Sequence, residues 1–395
     1  MTANRPISLR HPWHRRLLSR TALSGLPLAI GAVGMALLPG TALALPQDGV
    51  VAEGAAAIAQ TGALSLAITQ STNAAIIDWQ SFDIGAGETV EVFQPSAMAT
   101  LLNRVVGGGG ASNILGQLSA TGRLTLINPA GITIGNSARI DVAGLIASTA
   151  NIGNADFMAG NHAYATPGLA GARIVNAGAI TATDGGLVAL VGPSVANSGA
   201  INARLGRVVL GSAETFTLDL YGDDLIHIGV DDAVMTAIAA DALVANSGAI
   251  TADGGVIQIT ARGGAAAIEN VINMSGVVRA RSVGMENGEV VFYGHDQGIV
   301  QVSGSVDTSG KQTGQTGGTI KVLGDKVALT GNANLDASGD AGGGTILVGG
   351  AFQGLGDTPT ASRSFVGRHA SINTSAISTG NAGTAIVWAD GDTRY

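Results

Sequence analysis

The sequence predicts an all-β chain wound into a parallel β-solenoid, and three observations carry that prediction. The first is composition: 60 glycines among 395 residues, 46% hydrophobic residues, 12% charged and only 4% aromatic. Glycine at that level without a Gly-X-Y period excludes collagen, and the apolar share excludes disorder. The second is internal repetition. Ile174-Val-Asn-Ala-Gly-Ala-Ile180 returns as Val195-Ala-Asn-Ser-Gly-Ala-Ile201 and Val244-Ala-Asn-Ser-Gly-Ala-Ile250. The third is a sharp corner between β-rich runs, Leu126-Ile-Asn-Pro-Ala-Gly-Ile132, followed by Ala143-Gly-Leu-Ile-Ala-Ser-Thr149. Asn128 suits a turn, Pro129 fixes φ, and Gly131 permits positive φ before the next strand, Ile132-Thr133-Ile134.

Residues 1–44 read as a cleaved signal peptide. Arg5, Arg10, Arg15, Arg16 and Arg20 form a basic start without an acid, and an apolar run from Leu23 to Leu38 follows. Ala42-Leu43-Ala44 supplies small residues at Ala42 and Ala44, placing cleavage after Ala44. The run falls short of the ~20 apolar residues of a membrane span. Removing the five arginines leaves 15 basic against 28 acidic residues, a net of −13. That balance argues against nucleic acid or an anionic membrane as partner. With no cysteine in the chain, disulfides, thiolate metal sites and cysteine nucleophiles are excluded.

From residue 170 onward the repeats recur every 21 to 28 residues, with degenerate copies around Met274-Ser275-Gly276, Val302-Ser303-Gly304 and Leu329-Thr330-Gly331. Repeats of this length bury their apolar faces by stacking. Leu187, Ala189 and Val191 are expected on one side of a strand, with Val188 and Leu190 on the other. Coils of about 22 residues at ~4.8 Å each predict on the order of 16 coils and a rod about 75 Å long. The sequence ends just after Ala385-Ile386-Val387-Trp388 without a polar cap, which a solenoid needs, so a C-terminal truncation is expected.

The segment Trp79–Ile152 resembles the secretion domain of filamentous-haemagglutinin-like exoproteins of two-partner secretion. The matching residues are Trp79-Gln-Ser-Phe-Asp-Ile-Gly85, Phe93-Gln-Pro-Ser96, Asn103-Arg-Val105, Ser112-Asn-Ile-Leu-Gly116, Gly122 and the corner through Thr149. The resemblance covers residues 45–300 and implies a right-handed parallel β-helix with an N-terminal β cap. It further implies recognition, in unfolded or extended form, by an outer-membrane pore transporter of the Omp85 type. Residues expected to serve that recognition, or the fold supporting it, are Asn103, Asn113, Asn128, Pro129, Gly131 and Ile132. The family corner reads Asn-Pro-Asn-Gly-Ile, whereas position 130 here is Ala, which puts a recognition role for that side chain in doubt. Residues 301–395 are expected to continue the β-helix. Gly349–Gly354, Val366-Gly367 and Val387–Gly391 also look like a module found further along large exported adhesins.

Other chemistries fit less well. Gly107–Gly110 lacks the Lys-Ser/Thr of a phosphate loop and reads as a corner. Asp219, Asp223, Asp224, His227, Asp231 and Asp232 could bind Ca²⁺ or act as acid and base in a polysaccharide lyase or hydrolase, but they read as a solvated loop between strands. His162, His227, His295 and His369 lie in separate repeats, so no nucleophilic triad assembles. Trp79, Phe82 and Phe93 are expected to be buried under a cap. The expectation is therefore a non-enzymatic exoprotein without cofactor or metal. It would pass the inner membrane by Sec-type export, cross the periplasm, meet membranes only in transit, and end secreted or on the cell surface. Adhesion to host-cell or surface glycans or proteins is the downstream task expected, with a C-terminal toxin, cytolysin or haem-acquisition module as alternatives.

Overall fold

Three parallel sheets run side by side along the computed structural model, and a typical coil gives one strand to each. The structure describes residues 44–218, 228–230, 242–262 and 270–395. One coil is Ser112–Ile114, Gln117–Ala120 and Arg123–Ile127; the next is Ile132–Ile134, Arg139–Val142 and Gly144–Ser148. Ile132 lies beside Ser112, Ile140 beside Leu118 and Leu145 beside Leu124, so equivalent residues stack in columns. We call these sheet III, sheet II and sheet I; among the described residues they hold 10, 12 and 12 strands.

Twelve strands at ~4.8 Å span roughly 50 Å, shorter than the rod expected from the repeat length. The difference lies in insertions. Ala189 faces Val209 one coil on, but Ile146 faces Ala189 across a much longer stretch of chain. Residues counted as coils were spent outside the solenoid.

The N-terminal cap is present as two antiparallel strands. Val50–Glu53 pairs with Ala74–Trp79, and Ala56–Gly62 pairs with Ser65–Gln70, so each covers the first edge of sheet I or sheet II. An edge left bare would offer unpaired N–H and C=O groups to other chains. Trp79 and Phe82 are buried beneath this end, their rings edge to face at 5.6 Å. Phe93 departs from expectation: alternation along Thr89–Phe93 turns Val90 and Val92 inward and leaves Phe93 half exposed.

The repeated Asn and Gly positions have separate physical causes. Asn176, Asn197 and Asn246 are stacked neighbours in sheet III and fully buried. Asn176 Nδ2 donates to Asn197 Oδ1 at 2.7 Å, and Asn197 Nδ2 donates to Asn246 Oδ1 at 2.7 Å. Asn246 Nδ2 ends the ladder on Met274 Sδ at 3.3 Å. Two residues on, Gly178, Gly199, Gly248, Gly276 and Gly304 form a column in which backbones touch. A Cβ on Gly199 would lie 2.1 Å from the Gly178 carbonyl oxygen, and one on Gly248 2.2 Å from that of Gly199.

Sheet I carries a second layer that the sequence reading did not contain. Val188 and Leu190 face the solenoid core as the alternation requires. Ala189 and Val191 on the opposite side are buried too, in a second cluster with Ile76, Leu102, Ile127, Ile146 and Val209. The cover is helix α1 (Asn154–Ala159), which contributes Phe157, and an antiparallel sheet of His162–Tyr164, Phe216–Leu218 and Ile228–Val230. Tyr164 and Phe216 stack in parallel at 4.4 Å within it. The alternation of residues 187–191 was legible, but its outer side meets protein rather than solvent.

Candidate functional site

The corner after strand Arg123–Ile127 is a closed β-turn. Gly131 N–H donates to the Asn128 carbonyl at 3.0 Å, with Pro129 at the position its ring favours. Asn128 is 2% exposed and fully engaged. Its Oδ1 accepts the Ala130 N–H at 2.9 Å, while its Nδ2 donates to the Gly110 carbonyl at 3.1 Å and to Ser112 Oγ at 3.0 Å. The side chain thus ties its own turn to the preceding coil and to the glycine run. Gly107–Gly110 is accordingly a corner, and its carbonyl at Gly110 has a structural use.

Gly131 has φ +116°, and a Cβ there would sit 2.7 Å from the Arg173 carbonyl oxygen of the following coil. Both facts exclude a branched side chain. Ile132 is fully buried between Ser112 and Ile174. Pro129 is half buried, and its carbonyl accepts the Leu169 N–H at 2.8 Å. At position 130 the turn uses only the backbone N–H, consistent with Ala standing where the family has Asn.

Asn103 stands beside Leu126 in sheet I, two residues before Asn128 in the next coil, and faces inward. Its Oδ1 accepts the Trp79 Nε1–H at 3.1 Å, so a polar side chain in an apolar column is matched by the one indole it can reach. Asn113 differs from the others: it is exposed, its backbone N–H donates to Asp83 Oδ1 at 2.8 Å, and its Nδ2 donates to the Ala111 carbonyl at 3.1 Å. The structure therefore gathers Asn128, Pro129, Gly131 and Ile132 at one corner, sets Asn113 on the adjoining strand, and places Asn103 behind the corner in the core.

Sequence reasoning passed over Asp83 and Arg104, though both stand inside the quoted motifs. Arg104 Nε donates to Asp78 Oδ1 at 2.8 Å and bridges two coils. A shallow groove of about 340 Å³ lies against the corner, bounded by Arg104, Gly108, Gly109, Pro129, Ala130 and Leu169. Of the cleavage pair, Ala42 lies outside the described residues, while the Ala44 N–H donates to Glu88 Oε1 at 2.8 Å. The acidic cluster of Asp219, Asp223, Asp224, His227, Asp231 and Asp232 also lies outside them. Among the described residues no helix is long and apolar enough to cross a membrane.

Comparison with known proteins follows the same geography. The family profile described as the TPS secretion domain matches residues 42–308. The heme/hemopexin-binding protein of Haemophilus influenzae is 35% identical over 325 residues, covering 75% of this chain and 33% of that protein. The chain thus spans about a third of the length of that curated relative. The HMW1 secretion domain of Haemophilus influenzae, solved by crystallography, superposes with TM-score 0.72 at 30% identity, covering 88% of this chain and 91% of that one. The filamentous haemagglutinin secretion domain gives TM-score 0.46 at 13% identity, covering 89% and 99%.

Proposed function

The chain belongs to the TPS secretion-domain family, and from that membership we propose that it addresses a longer exoprotein, before folding, to an outer-membrane pore transporter of the Omp85 type. The observation that carries the reading is the burial of the corner. Asn103, Asn128 and Ile132 are at most 2% exposed, and both asparagine side chains spend their hydrogen bonds inside the fold. A partner can touch these side chains only while the chain is open. Once outside, each coil that stacks removes apolar surface from water and opposes return through the pore. The protein then ends secreted or surface-bound after Sec-type export through the periplasm.

Gly131→Val tests this: the variant should not be secreted in cells carrying the transporter. The transporter's purified periplasmic part should bind the urea-opened chain more tightly than the folded one. Equal binding of both forms, or normal secretion and β-content of Gly131→Val, refutes the reading. A domain that works by being recognised and by folding needs no turnover. Sugar release from a polysaccharide panel that disappears in Asp223→Asn or Asp224→Asn would favour the hydrolase alternative instead.

For the remainder of the longer protein, the relative's name favours haem or haemopexin binding over adhesion. Binding of the full-length secreted protein to haemin-agarose and to immobilised haemopexin, against binding to epithelial cells, separates the two.

A further inference from the structure

Between helix α1 and the outer face of sheet I lies a cavity of about 430 Å³, within the range of small-molecule sites. Its floor follows from strand alternation. Residues whose neighbours face the core point outward here: Thr100, Arg123, Thr125, Gly144, Ile146 and Arg207. Gly144 leaves the middle of the floor low, and Phe157, Met158 and His162 form the roof.

The described lining of this cavity is cationic in an acidic chain. Among the described residues no Asp or Glu lines it. Among the described residues Arg207 has no ion pair or side-chain hydrogen bond, and Arg123 meets only Met98 Sδ at 3.2 Å. His162 is 9% exposed with Nδ1 buried and unpartnered, and the Tyr164 hydroxyl is buried beside Thr125 without a hydrogen bond of ordinary geometry. Several cations elsewhere on the coils are paired, Arg279 with Asp253, Arg281 with Asp307 and Lys311 with Asp336. Unmatched cations and an unmatched imidazole beside an apolar roof make a site with an electrostatic vacancy for an anion and an apolar vacancy for a tail. Burial and the nearby Arg123 charge hold His162 below its ordinary pKa, so at neutral pH its ring can still accept or donate as a neutral group.

We propose that this cavity binds an amphiphilic anion, a single carboxylate on a short alkyl chain, with the head group between Arg123 and Arg207 and the tail beneath Phe157. Met98 and Met158, both exposed at the mouth, supply an adaptable apolar rim.

The test titrates octanoate, octanol and acetate into the full chain, following the His162 imidazole resonances and the heat of binding. Octanoate should saturate and shift His162, with octanol and acetate each at least about tenfold weaker, since each supplies one half of the contact. Arg123→Ala with Arg207→Ala should weaken octanoate by at least about tenfold and leave octanol unchanged. Ile146→Phe, which fills the floor, should weaken both while circular dichroism stays that of the parent. Octanoate that fails to saturate, leaves His162 unmoved, or binds the double arginine variant as well as the parent overturns the proposal.

Discussion

Replacing Asn197 with alanine cuts the amide ladder at its centre, and the cost can be worked from the hydrogen bonds. Asn197 accepts from Asn176 Nδ2 and donates to Asn246 Oδ1, both at 2.7 Å and both buried. The truncation leaves one donor and one acceptor without a partner where water has no access. Each stranded group costs about 1–3 kcal/mol, so a loss of roughly 2–6 kcal/mol is expected. Because coil arrays need not unfold in one step, urea melting should be followed by Trp79 fluorescence and by hydrogen exchange at Ala196 and Ala245 together. Asn176→Ala and the double variant close a thermodynamic cycle, and the two sites should couple by about 1 kcal/mol or more. Asn197→Asp should be worse than alanine at neutral pH, since a buried carboxylate faces the Asn246 carbonyl, and should recover in acid, when a protonated Asp can donate again. A change under about 0.5 kcal/mol in Asn197→Ala, or additivity in the cycle, would refute the ladder as a source of stability.

Gly248→Ala places a methyl 2.2 Å from the Gly199 carbonyl oxygen, and the coils must part; a loss of about 2–4 kcal/mol in urea melts is expected, with exposed Gly109→Ala as a neutral control. Trp79→Phe strands Asn103 Oδ1 in the core and should cost about 1–3 kcal/mol by thermal melting, partly recovered by Asn103→Leu on the same background. Burial, then the charge of Arg262, lowers the His295 pKa to about 4 from 6.5. The unfolded chain therefore takes up a proton that the folded chain refuses, so this contribution is complete above the unfolded value and is lost as pH falls through the folded one. Urea midpoints should drop between pH 7 and pH 4.5, and His295→Asn, which tolerates the φ of +52° at that position, should flatten the drop.

The coils and the corner were legible because their causes are local or periodic. Asn-x-Gly recurs at 176, 197 and 246 since the buried amide and the bare backbone are required at the same place in each coil. The outer layer was not legible, because α1 and the sheet built on His162–Tyr164 occur once, and nothing repeats to announce them. A run such as Leu187–Val191 also reads the same whether its outer side meets water or Phe157. A further periodic signal was present but overlooked: Asp307, Asp336 and Asn373 each accept from the backbone N–H and the hydroxyl of the serine two residues ahead, at Ser309, Ser338 and Ser375. Its wider spacing hid it among loops. At the corner, the sequence could not tell that Asn113 is exposed while Asn103 and Asn128 are sealed.

The glycine column also governs how such a chain can lengthen over generations. A duplicated coil brings its own bare backbone and its own amide, so it can be inserted between two others and be accepted on both sides. A point change in the column, by contrast, is felt by the coil above as well as its own. Growth by copying is tolerated and drift within the column is not, which gives these proteins a ready route to great length.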